Sequence, residues 1–570
     1  MKHGLRITSL FLLMMPFCVQ AQTGGNQNSL LPEINPQDIE IRSEFRARFP
    51  GLRRQPILGF NPKPRVFRID PNRIPFMESR DEAVASIAVT QLNRPAPPSR
   101  SYLPTPDLND IYGRLGFGSF ITPEAELYAR TELSDNSLLS GGFNLITTDG
   151  HLSDQESSFR YFDAEATYQY RSDNDLIFEA GIGALADKND LYNLDPFFQN
   201  AMQTTADKEY LGLNVETSVR KVKNAVEGWE GTLAANLFKT NLEAYASGLS
   251  GDISEQVIRT GFDRYWAGNN IRETFRVSLF AVGGNYDISS AGSESWIHAG
   301  GGLQYQRQLT ASTHVDAKAG LEYISDAFSD KIYISPELKL KQEIRSGIVI
   351  EANAYARPEM PEVMELQQYN RFLNTNTQLQ HRYEAGLNGE IGVQLFKGNR
   401  VFGGAGYEFI RDYAFFSRTT QTVAAAEVPL FYNVNYGNAN ILMIYGGISQ
   451  HVIPNKFWFS SKVYARRPEL KSGGRIPFEE RLGLDGSMSF KVTNSFTLNS
   501  SAEYIGRRRT AVTDEELSAY LLVNGGAEYD INNRFAIYVR VLNLLGQNYE
   551  VWQGYRERPF QLFGGLTIKL

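Results

Sequence analysis

Histidine is the residue type whose chemistry is easiest to test from spacing, and the chain has six. His298 and His314 both fall on the inner face of a strand pair if the chain turns near Thr310 and Ala311. That turn sets His298 opposite about Tyr323, nine residues along the ladder from His314, or ~30 Å at strand rise. Zinc needs its ligands about 2 Å from one centre, so no metal site is expected here. Gly181-Ile182-Gly183 reads as a strand fragment, because no helix follows it in the register that a dinucleotide fingerprint needs. No serine, histidine and acid can be assembled into a nucleophilic set. The chain therefore reads as a non-enzyme without a catalytic, cofactor-binding or metal-binding group.

Lys2 and Arg6 precede an apolar run from Ile7 to Val19, and Val19-Gln20-Ala21 supplies small residues for cleavage. Residues 1–21 thus read as a cleaved secretory signal peptide. The only cysteine, Cys18, lies inside it, so the mature chain is expected to hold no disulfide and no Cys-ligated metal. Losing Lys2 and Arg6 takes the formal net charge from -7 to -9, which argues against nucleic acid as a partner.

The elements that would carry any site alternate with period two. In Arg534 to Val541, Phe535, Ile537, Val539 and Val541 share one face while Arg534, Tyr538 and Arg540 share the other. The closing run repeats this, with Phe560, Leu562, Leu566, Ile568 and Leu570 opposite Gln561, Thr567 and Lys569. Val315 to Tyr323, Ile348 to Tyr355 and Tyr383 to Leu395 are equally clear, and their charged faces suit a water-filled interior better than a dry core. Tyrosine and phenylalanine total 64 residues, which suits aromatic girdles. No run after Ala21 reaches the ~20 apolar residues of a membrane helix. The fold class is all-β: a large closed antiparallel transmembrane β-barrel over residues 111–570. Direct reading yields roughly twenty-one strands. Both ends on the periplasmic side require an even number, so about 22 are expected, with the uncounted strand between 187 and 295. Pro336 interrupts one strand pattern and predicts a bulge.

Asn543-Leu-Leu-Gly-Gln-Asn-Tyr549, Gly554-Tyr555, Pro559-Phe560 and Gly564-Gly565 resemble the C-terminal signature of TonB-dependent receptor barrels. Ala356-Arg-Pro358 followed by Asn374 to Glu384 resembles a strand end and loop midway along such barrels. The resemblance implies an outer-membrane receptor that transports or captures a solute, inserted by the barrel assembly machinery and surrounded by outer-membrane lipid. It also implies an N-terminal plug. Residues 22–110 show no strand pattern of that kind. Gln37-Asp-Ile-Glu-Ile41 resembles the short extended box that contacts TonB, making TonB a possible partner.

Residues 22–110 hold 13 of the 24 prolines and read as a mostly irregular periplasmic arm. Within it, residues 41–80 carry ten Lys or Arg against Glu44, Asp70 and Glu78. Phe45, Phe49, Arg53, Arg54 and Phe60 are the partner-binding candidates. They would either engage a periplasmic protein or lie against acidic groups in the lumen, occluding it. Long loops are expected at 187–207, 244–271, 358–380 and 417–438, where Tyr265, Trp266, Tyr369 and Phe372 are candidates for ligand contact. Arg507-Arg-Arg509 followed by Asp514-Glu-Glu516 reads as a solvated loop charge cluster, or as a lipopolysaccharide contact. The alternative to transport is a structural scaffold that recruits an envelope partner through the arm.

Overall fold

The computed structural model describes residues 111–570 except 153–155, 192–205, 225–226, 245–250, 270–271, 424–425 and 511–514. The expected signal peptide and arm, with the candidates Phe45, Phe49, Arg53, Arg54 and Phe60, lie outside the described residues. One sheet of 22 strands contains the whole barrel. The first strands are β1 Ile111–Gly118, β2 Thr122–Ser134, β3 Ser137–Thr148, β4 Phe159–Arg171 and β5 Leu176–Leu191. Taller ones follow in β6 Ala206–Asn224, β7 Glu227–Ala244, β8 Gly251–Ala267, β9 Glu273–Ile288 and β10 Gly292–Thr310. Next come β11 Thr313–Ser325, β12 Asp330–Arg345, β13 Ile348–Glu359, β14 Arg382–Val393, β15 Asn399–Val423 and β16 Ala426–Ile453. The wall ends in β17 Phe457–Leu470, β18 Leu482–Lys491, β19 Phe496–Ile505, β20 Tyr520–Asp530, β21 Phe535–Leu542 and β22 Gln561–Lys569.

Each strand pairs antiparallel with its sequence neighbours, and β1 closes the barrel on β22 with Leu115 opposite Leu566. Closure removes every free edge from the hydrocarbon, where unpaired backbone groups cost several kcal/mol. Ile111 and Leu570 exchange backbone hydrogen bonds of 2.9 and 2.8 Å, so both ends of the wall meet at one rim. The connections at that rim are short, as at Asn532-Asn533 and Gly398, and such turns mark the periplasmic side. Leu115, Ile182, Leu233, Ile332, Ile334, Leu387 and Ile537 project outward and are exposed, forming the lipid belt. The opposite face carries the charges.

Three expectations are corrected. The interval 244–271 is not a loop: β8 fills it and supplies a strand where one was missing. The interval 417–438 is the upper part of a β15–β16 hairpin, not a loop. Pro336 makes no bulge. It pairs with Ala319 in an unbroken β11–β12 ladder, and pairing to β13 begins one residue later at Glu337, so no β13 ladder bond needs the missing N–H. The β10–β11 turn falls so that His298 faces Ile324, one residue from the expected Tyr323. The His298 ring lies 2.7 Å from Glu322.

Candidate functional site

At the rim opposite the short turns, residues 360–381 between β13 and β14 turn into the barrel. Val363–Tyr369 forms a short helix, α1, whose Val363, Leu366 and Gln367 are buried. Its entry is fixed by the wall. Glu362 pairs with Arg259 of β8, and the Met364 N–H donates to Glu255 at 3.4 Å. Arg259 lies eight residues below the outer end of β8, so Glu362 reaches ~27 Å down that strand.

Lys208 of β6 holds the far side of the segment. It is fully buried, and its ammonium donates to Gln367 Oε1 at 2.5 Å, the Leu373 carbonyl at 2.5 Å and the Arg371 carbonyl at 3.1 Å. All three ammonium protons thus have acceptors, which is what a lysine needs to remain in a dry site. Tyr210 adds a hydrogen bond from its hydroxyl to the Gln367 carbonyl at 3.1 Å.

The third side is the β15–β16 hairpin. Ladder contacts to β14 stop at Arg411 and contacts to β17 stop at Ala439, so the hairpin projects beyond both neighbours. A bulge between Ile410 and Tyr413, with Asp412 at φ 55°, re-aims it at this point. Tyr432 then receives residues 372–374 as a short added strand: its N–H donates to the Phe372 carbonyl at 2.9 Å and its carbonyl accepts from Asn374 at 2.8 Å.

Around these contacts the outer loops share one apolar core. Phe372 stacks on Tyr555 of the β21–β22 connection at a centroid distance of 3.4 Å, and Trp552 packs against Phe416, Tyr432 and Phe478. Segment 360–381 therefore touches wall and loops from three sectors of the circumference and bridges the mouth.

Asp326, in the turn between β11 and β12, fixes the end of the segment. Its carboxylate accepts from the His381 ring at 2.6 Å and the His381 N–H at 2.8 Å, while Tyr333 lies 2.7 Å from the other ring nitrogen. Burial alone would raise this carboxyl. The His381 contacts and the Phe328 and Ser329 N–H groups outweigh it and hold the pKa at about 2. A depressed acid contributes stability above its ordinary value and loses it as pH falls toward the folded one. The cap is expected to lose about 1–2 kcal/mol between pH 4 and pH 2. Pepsin cleavage within 360–381 should rise across that window, and Asp326→Asn should flatten the dependence.

Of the four residues expected to contact ligand, Tyr369 alone stands at the surface of this assembly. It is 43% exposed and stacks on Phe416 at 5.4 Å. Phe372 is in the core at 0% exposure and is out of reach of a ligand while the cap is formed. Tyr265 and Trp266 lie on β8 at the short-turn rim, the other end of the barrel. There Trp266 stacks on Phe275 and Tyr265 sits under Arg276. The Arg507–Arg509 cluster is likewise not simply solvated. Arg508 is 3% exposed and donates to the Val551 carbonyl at 3.0 Å and the Glu550 carbonyl at 2.6 Å, tying two loops of the cap. Sequence reading missed Lys208, Arg259, Tyr432 and His381. Nothing in their local patterns sets them apart from ordinary lumen residues.

No family model and no curated protein matches the sequence. Solved structures match in fold. The copper transporter OprC aligns at a TM-score of 0.65 and 9% identity, covering 81% of this chain and 80% of that one. The siderophore receptor PirA from Acinetobacter baumannii aligns at 0.64 and 12%, covering 81% of each. The ferric-catecholate import receptor Fiu from E. coli K12 aligns at 0.61 and 9%, covering 82% of each. At such identities the likeness establishes the fold alone: the chain forms a closed 22-stranded β-barrel like those of these solved structures.

Proposed function

We propose that the protein captures a solute at its outer mouth and admits it through the barrel, with residues 22–110 occluding the lumen between events. The supporting observation is segment 360–381, a structured inward loop that bridges the mouth, tied to the wall by the polar contacts of Lys208, Arg259 and Asp326 and packed into the apolar core of the outer loops. The relatives in fold are named for copper and for ferric siderophores, and a metal ion or its chelate is the solute class we carry over. Gln37 to Ile41 would be the contact for TonB if import is energised.

Planar-bilayer conductance tests the reading. The full mature chain is expected to stay closed and the chain lacking residues 22–110 to conduct. Closure of both forms would move the second reading forward. That reading is an envelope scaffold, and the interlocked apolar core around Trp552 favours it, because a permanently packed mouth anchors better than it transports. Crosslinking from Phe45 or Phe60 then separates the two: capture of a discrete periplasmic protein favours the scaffold.

A further inference from the structure

Inner-wall carboxylates differ in how they are satisfied. On β12–β15, Lys341 meets Glu351 at 3.0 Å and Arg400 meets Glu390 at 2.6 Å, and Lys569 of β22 meets Glu528 at 2.8 Å. On β4–β7, Asp163, Glu165, Glu216 and Glu230 have no side-chain hydrogen bond or ion pair among the described residues. Arg220 faces Glu230 across the ladder without pairing to it. Glu165 lies opposite Gly183 and Glu216 opposite Gly181 on β5; the Glu216 side chain lies over Gly181, while Gly183 is left open. A Cβ added at Gly183 would meet nothing closer than 3.8 Å, which leaves the sheet flat enough for another chain to lie on it.

We propose that this unpartnered sheet face is the seat of the protein's own residues 41–80. The inference rests on the occlusion reading above and names its docking surface. Those residues carry ten Lys or Arg against three acids in a chain whose net charge is negative, so they are its one strongly basic stretch. Their charge complements a wall whose carboxylates lack partners. The connection suffices too. β1 begins at the short-turn rim, and residues 81–110 span up to ~100 Å when extended, whereas Glu165 lies only six residues, or ~20 Å, above the lower end of β4. Arginines such as Arg53 and Arg54 would take the carboxylates, and Phe49 or Phe60 the open face at Gly183.

The test uses the full chain with Cys18→Ser, leaving only introduced thiols. Oxidation should join Arg53→Cys to Glu216→Cys at least fivefold more than to Ser487→Cys on the opposite wall. Separately, Glu165→Lys with Glu216→Lys should raise trypsin cleavage within 41–80 at least fivefold and abolish the dependence of that cleavage on salt, while Glu165→Gln with Glu216→Gln gives a smaller rise. Retention of the heat-modifiable gel shift checks that each barrel has formed. Equal crosslinking to both walls, or cleavage indifferent to charge reversal, overturns the proposal. A seated segment in a protein that moves no solute would instead reject the transport reading and leave this one standing.

Discussion

Gly565→Ala should prevent the barrel from closing, while Gly564→Ala beside it should be nearly silent. Gly565 lies on β22 at the closing seam, opposite Gly116 of β1 and Tyr538 of β21. A Cβ there would run into the Leu115 carbonyl and the Gly116 Cα, both backbone atoms that no rotamer change can move. At Gly564 the nearest atom is 3.7 Å away, an ordinary contact. Tyr538 adds to the constraint. Its ring lies across the same glycines so that its hydroxyl can donate to Glu124, which also holds Arg540. Overpacking a core typically costs about 1–3 kcal/mol, and a clash against two backbones at a seam should exceed that. The measurement is the folded fraction in detergent or outer-membrane vesicles, read from the heat-modifiable gel shift. Equal folding of the two variants would refute the close seam approach.

Lys208→Met should release the inward segment while leaving the wall intact. The substitution keeps the length of the stem but orphans the Gln367 amide oxygen and two backbone carbonyls in a buried site. Unsatisfied buried acceptors cost about 1–3 kcal/mol each, offset in part by removal of a buried charge, so a net loss of about 3 kcal/mol is expected. That is roughly a hundredfold more opening of the segment. Amide exchange over residues 363–373 reports it directly, as does cleavage within 360–381 by protease added to intact cells. Lys188→Ala is the control: that lysine is half exposed, pairs with Glu209 at 2.9 Å and touches no part of the cap. Unchanged exchange in Lys208→Met would mean that the apolar core alone holds the segment.

The contrast between β21 and β8 shows how far local pattern reaches. In β21 the outward residues Phe535, Ile537 and Val539 are exposed and Ala536 and Tyr538 are buried, as period two predicts. The same rule fails in the outer half of β8. There Ile253 and Val257 face inward and are almost fully buried, because they pack on segment 360–381, not on water. Their outward neighbours Ser254 and Gln256 are polar where a lipid-belt pattern would place apolar residues. The alternation is inverted, and the stretch reads as a loop with aromatic residues at its end. The β15–β16 hairpin is obscured for the same reason, since Phe416, Phe431 and Tyr432 of its upper part pack into the loop core.

The sequence by itself determined the membrane-spanning wall. Lipid on one side and water on the other impose period two, the ban on free edges imposes closure, and two ends at one rim impose an even strand number. Both constraints act within a strand or between consecutive ones, so a single chain displays them. The cap was decided only in three dimensions. Lys208 and Gln367 are 159 residues apart, Arg259 and Glu362 are 103 apart, and Arg371 and Glu557 are 186 apart. A lysine that will be buried has the same local neighbours as one that will face water. Only the closed circumference, which brings β6, β8, the β13–β14 segment and the β21–β22 connection around one mouth, distinguishes them.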